Sequence, residues 1–218
     1  RAFVQGMLGQ YPITQIYTDT FPLGIYGEWA GTGTGKLPVY HIARHIKWEA
    51  YYKQAYSVRL HYKKVFAVEG LHPGQAQFLL QHSSGIKQLP LKDPPPPQGN
   101  SAGPPWPNKG PVWLVVHSAP AAETRQLLAY AHENARTEGF SPHIVVVSPE
   151  KATYPGATAL QLYPAHPLFA LADRIFTACG FNSMRQTRPY AHKHHFVPFA
   201  RKFDDQFRRA RLRKAQKR

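Results

Sequence analysis

The sequence predicts an α/β protein with a Rossmann-like parallel sheet of about five strands in its C-terminal part and an incomplete α/β unit before it, and three observations carry that prediction. Beyond residue 110, short apolar runs alternate regularly with helix-period segments. Residues 90 to 110, PLKDPPPPQGNSAGPPWPNKG, are so rich in proline and glycine that neither a helix nor a sheet interior fits there. Before that stretch the order strand, loop, strand, helix, strand recurs, in a shorter and less regular form. The expected organisation is an incomplete α/β unit over 1–89, a linker over 90–110, and a second α/β unit over 111–218.

In order along the chain, YPITQIYTD (11 to 19) reads as a strand ending in an acid, and LPVYHIARHI (37 to 46) as a second strand. KWEAYYKQAYSVRLHYKK follows with helical periodicity, then VFAVEG (65 to 70) as a third strand. After the linker, PVWLVVHS (111 to 118) is a continuous apolar strand and AAETRQLLAYAHENARTEG (121 to 139) a helix closed by Gly139. HIVVVS (143 to 148), TALQLYP (158 to 164), RIFTAC (174 to 179) and HHFVPF (194 to 199) supply four more strands. Between them lie a short helical HPLFALAD and a helix from about Asn182, and a basic helix from about Asp204 ends the chain. Five apolar strands alternating with helices predict a parallel sheet covered on both faces.

Charge narrows the partners. With 27 Lys plus Arg against 12 Asp plus Glu, the chain carries +15, a field that attracts nucleic acid, an anionic membrane surface or a phosphorylated small molecule. Much of the excess lies from Arg201 to Arg218. One cysteine, Cys179, excludes an intramolecular disulfide framework and fits a reducing compartment. No apolar run approaches a membrane span, so the expected location is cytoplasmic.

In an open parallel sheet the ligand lies beyond the carboxyl ends of the strands, which singles out His117-Ser118-Ala119, Cys179 to Ser183, and Pro198 to Gln206. Gly180 permits close backbone approach or positive φ, while Asn182 and Ser183 can cap a helix whose free N–H groups seat an anion. The bland alternative is an ordinary strand-to-helix turn. Asp205 and Gln206 offer acceptors and an amide donor suited to vicinal hydroxyls, or a cap for the last helix.

These pieces, Tyr163-Pro164, Gly180-Phe181-Asn182-Ser183, Phe196-Val197-Pro198 and Asp205-Gln206, resemble in order the donor-binding signature of GT-B fold nucleotide-sugar glycosyltransferases. That family includes the UDP-glycosyltransferases and the peptidoglycan N-acetylglucosaminyltransferase. The resemblance implies a nucleotide-diphosphate sugar, UDP-sugar first, as donor substrate, with no further cofactor and no metal. It implies Tyr163 near the base, Ser118, Gly180, Phe181, Asn182 and Ser183 around the diphosphate, and Asp205 and Gln206 on the sugar hydroxyls. Two departures stand out. Ala178 replaces a histidine that touches phosphate, and Gln186 replaces the glutamate that holds the ribose; Arg185 and Arg188 are candidates to compensate.

DTFPLGIYGE (19 to 28) resembles the strand-end loop of an acceptor-side domain in a bacterial group with a D-x-F-P-x-G-x-x-G-E pattern. Asp19 and Glu28 are thereby the candidate catalytic carboxylates, with His45, His72 and His117 as alternatives. The glycine- and histidine-rich loop with which such domains begin would precede Arg1, so a missing segment, a partner subunit or another base is expected to complete an inverting transfer to an acceptor the sequence does not name. The rival reading is a non-catalytic nucleotide-sugar or RNA-binding protein. Aromatics interleaved with basic residues would favour RNA, yet the tail offers only Phe203 and Phe207, expected to pack against the sheet. Peripheral membrane association is a third expectation. The histidines of AHKHHF (191 to 196) are read as surface and core residues rather than ligands, and GTGTGK (31 to 36), which lacks Walker spacing, as a flexible loop.

Overall fold

The computed structural model describes residues 2–29, 33–34, 37–55, 60–93, 105–106, 110–118, 120–150 and 152–216. Most of GTGTGK and of the proline-rich segment, together with Ala119, fall outside the described residues. The chain divides into two compact units, residues 1–92 with 201–205, and residues 93–200 with 206–218.

The first unit runs α1 (Ala2–Gln10), β1 (Ile16–Asp19), β2 (Val39–Ala43), α2 (Trp48–Ala55), β3 (Lys64–Ala67), α3 (Pro73–Gln81) and β4 (Ile86–Gln88). Its four strands are all parallel and lie side by side in chain order. β1 is shorter than the predicted 11 to 19, as Pro12 cannot donate to a ladder. Both α3 and β4 lie where the sequence signals neither. Pro73-Gly74 looks like a turn, but here Pro73 opens the helix and His72 caps it, its Nδ1 accepting from Gly74 N at 3.2 Å.

Alternate residues of the first sheet are buried, and among the described residues the core lies on one face. Ile16, Val39, Ala43 and Val65 meet Trp48 and Tyr51 of α2 and Phe78 and Leu79 of α3 there. His41 belongs to this buried face, hydrogen-bonded through Nδ1 to the Thr18 hydroxyl at 2.8 Å, and burial pushes its pKa down to about 4.

The second unit follows the expected alternation: β5 (Val112–Val116), α4 (Ala121–Thr137), β6 (His143–Val147), β7 (Thr158–Leu160), a 3-10 turn His166–Ala170, β8 (Arg174–Ala178), α5 (Phe181–Gln186), a second 3-10 segment Arg188–Lys193, β9 (His194–Val197) and α6 (Gln206–Gln216). All five strands are parallel, in the order β7-β6-β5-β8-β9. Both faces are covered. Trp113, Val115, Val146 and Phe176 pack on Leu127 and Ala131 of α4, while Leu114, Val145, Val147 and Ile175 pack on Leu168 and Phe169. Trp106, from the proline-rich segment, is buried in this second cluster. α4 closes at Gly139, whose φ of +69 is open to glycine at no steric cost.

Among the described residues no helix is long and apolar enough to cross a membrane.

Candidate functional site

Counted within its own unit, the second sheet has the order 3-2-1-4-5, which reverses direction between β5 and β8. At such a switch point the connections leaving the two strands pass to opposite faces and open a crevice at their carboxyl ends. β5 ends at His117-Ser118 and β8 at Cys179-Gly180, so the pairing of β5 with β8 brings two of the three predicted loops together.

His117 Nε2 lies 2.9 Å from Glu123 Oε2 in the first turn of α4, both side chains largely buried, and the His117 ring packs 5.7 Å from Phe199. Ser118 is exposed. Across the crevice, α5 starts one step earlier than predicted. Its N-cap is Gly180, with φ −65 and ψ 157, and no side chain caps it; Asn182 and Ser183 sit inside the first turn instead. The N–H groups of that turn have no intrahelical acceptor to satisfy them. A Cβ built on Gly180 meets nothing nearer than Ser183 Oγ at 4.0 Å, so the fold itself does not demand glycine at this point. Asn182 is exposed, and Tyr163, after β7 and joined to Pro164 by a cis peptide, is 95% exposed.

Three expected residues are already engaged. Gln186 Nε2 donates to Asp93 Oδ1 at 2.6 Å, and Arg185 grips the same carboxylate with Nη1 at 2.8 Å and Nη2 at 2.5 Å. These bonds, the one from Arg185 foremost, hold the Asp93 carboxyl below the usual carboxylate range. Gln206 is buried, and its Oε1 accepts from Cys179 N at 3.2 Å and Phe199 N at 3.0 Å, tying the end of β8 to the end of β9. Asp205 belongs to the first unit, where its Oδ2 stands 3.7 Å from His45 Nε2. Adjacent in sequence, Asp205 and Gln206 serve different units.

In the first unit Asp19 leaves β1 into an ion pair with Arg44 and accepts from the Thr20 hydroxyl at 3.2 Å. Glu28 Oε2 accepts from Tyr26 N at 3.0 Å. It lies 1.9 Å from where a Cβ on Gly24 would sit, and Gly24 itself has φ +83. The Tyr51 hydroxyl locks the same loop, accepting from Leu23 N at 2.8 Å and donating to Gly24 O at 2.9 Å. His45 N donates to Glu69 Oε1 at 2.9 Å, and His72 Nε2 meets Glu49 Oε1 at 3.1 Å. Among the described residues no cluster of three or more His, Cys, Asp or Glu could hold a metal ion.

The sequence reading missed a buried relay under α6. Arg213 Nη1 lies 3.3 Å from His194 Nδ1, whose ring Nε2 lies 2.9 Å from the Thr177 hydroxyl, and Arg213 also donates to Met184 O. The signal available was the spacing of Arg209 and Arg213, one turn apart, but in so basic a tail buried and solvated arginines look alike. Phe203 is buried as expected; Phe207 is not, remaining 44% exposed.

No family model matches the chain, and searches of curated proteins and of solved structures return no match.

Proposed function

We propose that the second unit binds a nucleotide diphosphate sugar, a UDP-sugar first, and that the chain is a glycosyltransferase. One observation carries the reading: the motif piece Gly180-Phe181-Asn182-Ser183 directly follows the carboxyl end of β8, the strand that flanks the switch point with β5. The absence of any packing need for glycine at 180 supports it, since the space above that backbone suits a diphosphate oxygen.

In this reading Tyr163 stacks on the base, and the N–H groups opening α5 hold the diphosphate with the Asn182 side-chain amide and the Ser118 and Ser183 hydroxyls. The Gln186 amide holds the ribose while Asp93 braces it, and the Gln206 amide nitrogen reads the sugar. Asp205, turned towards His45, has no part in it. In the transfer an acceptor oxygen attacks the anomeric carbon, the bond from that carbon to the diphosphate breaks, and the acceptor proton leaves to a base. Attack in line inverts the configuration, and fixed N–H dipoles stabilise the departing diphosphate without a metal. Asp19 and Glu28 each already hold their own loop and are not assigned as that base.

Calorimetry against a panel of nucleotides and nucleotide sugars tests this. Saturable binding of one nucleotide sugar is expected, weakened at least tenfold by Asn182→Ala, roughly the loss of one charge-assisted hydrogen bond. Absence of binding to every member of the panel overturns the reading.

A further inference from the structure

An all-parallel sheet normally has both faces covered, as the second sheet does. The first does not. Its buried residues Ile16, Val39, Ala43 and Val65 share one face, and every helix of the unit that adds to the core adds to that face. The other face, read across the register, carries Tyr17 opposite Tyr40, Asp19 opposite Ile42, Tyr40 opposite Lys64, Ile42 opposite Phe66, and Phe66 opposite Lys87.

Three rings on that face form a ladder. Tyr17 and Tyr40 stack with centroids 5.0 Å apart and planes 17° from parallel, and Tyr40 and Phe66 continue the stack at 6.4 Å and 24°. Tyr17 stands on the edge strand β1 and is 56% exposed, so the ladder ends in an open ring. Cations line the ladder's middle and far end: Lys63 Nζ sits 6.0 Å from the centre of the Tyr40 ring, with Lys64 beside Tyr40 and Lys87 beside Phe66. The acid on this face, Asp19, is neutralised by Arg44.

We infer that this face of the first sheet binds single-stranded nucleic acid, one base extending the ring stack at Tyr17 and the phosphates running towards Lys64 and Lys87. Stacking rings interleaved with cations form the surface on which unpaired bases are held without sequence preference. Length argues for a polymer over a single nucleotide. Lys87 on β4 is three strand spacings from Tyr17 on β1, about 14 Å, which one nucleotide does not span and a short run of linked nucleotides does. The chain's +15 charge favours the same partner. The aromatic residues that the basic tail lacks are thus supplied by the sheet, among its lysines.

The test is fluorescence anisotropy of a labelled twelve-nucleotide oligouridylate with the whole chain, titrated at several salt concentrations. Tyr17→Ala is expected to weaken binding about tenfold and Tyr17→Phe to leave it near wild type. Lys64→Gln with Lys87→Gln should lower the salt slope by about 1.4, since each phosphate neutralised on a single strand contributes about 0.7. Uridine monophosphate at the same nucleotide concentration should compete poorly. Three outcomes overturn the inference: no binding by wild type at low salt; unchanged binding in the alanine and lysine variants, which moves the nucleic acid to another surface such as Arg211 and Lys214 of α6; or a wild-type dimer that Tyr17→Ala makes monomeric, which shows a second copy covering the face. Should Tyr17→Ala unfold, the lysine pair alone decides through the salt slope. Nucleotide-sugar binding by the second unit is read separately by Asn182→Ala, so failure of one proposal leaves the other standing.

Discussion

Two glycines show how differently one residue type can be used. Gly24 has φ +83, and a methyl group there would meet the Glu28 carboxylate at 1.9 Å and the Glu28 backbone nitrogen at 2.9 Å. Gly24→Ala should therefore cost about 2 kcal/mol or more in denaturant unfolding, from left-handed backbone plus collision. Gly180 has ordinary φ and open space, so Gly180→Ala should stay within about 1 kcal/mol of wild type yet lose nucleotide-sugar binding. Equal destabilisation by both changes would show that Gly180 serves the fold. His41 supplies the pH dependence at this scale. It is buried neutral with pKa about 4, against about 6.5 in the unfolded chain, which therefore takes up the proton first. Its contribution is complete above pH 6.5 and falls as pH drops through 4, in total about 3 kcal/mol. Comparing wild type with His41→Gln by urea unfolding at pH 7.5 and 4.5, the wild type should lose more; parallel losses would refute the assignment.

At the scale of elements, the second unit depends on a side chain that looks functional in the sequence. Gln206 Oε1 accepts from the N–H groups of Cys179 and Phe199, both buried. Gln206→Ala leaves both unsatisfied, and about 1–3 kcal/mol for each N–H so stranded should lower the denaturation midpoint clearly, where an exposed neighbour such as Phe207→Ala should not. An unchanged midpoint would mean that the two strand ends find other partners. β5, β6 and β8 were legible because burial on both faces makes them continuous apolar runs; β7 and β9 shrink towards the edges of the same sheet. α3 was not legible: a histidine caps it and proline and glycine open it, so local chemistry points to a turn while Phe78 and Leu79 are drawn into the core.

For the whole molecule, the two sheets contrast. The second reverses direction between β5 and β8, beside the motif at 180–183; the first proceeds in chain order without a reversal among the described strands, and among them carries stacked rings and lysines on the face away from its core. The candidate site was partly legible. Ser118 and Gly180 were named from strand ends, and the strand pairing makes them neighbours, whereas the grip of Asp93 on Arg185, 92 residues away, left no mark in the sequence. By itself the sequence determined the α/β class, most strands of the second unit, the basic charge and the order of the motif pieces, because apolar periodicity and turn chemistry are local properties. Only the tertiary structure decided that Asp205 and Gln206 part company, that Gly180 is spared any packing role, and that Tyr17, Tyr40 and Phe66 form one stack. Strand order and hydrogen-bond partners are chosen between residues distant in the chain, by burial and satisfaction of polar groups that no local window contains.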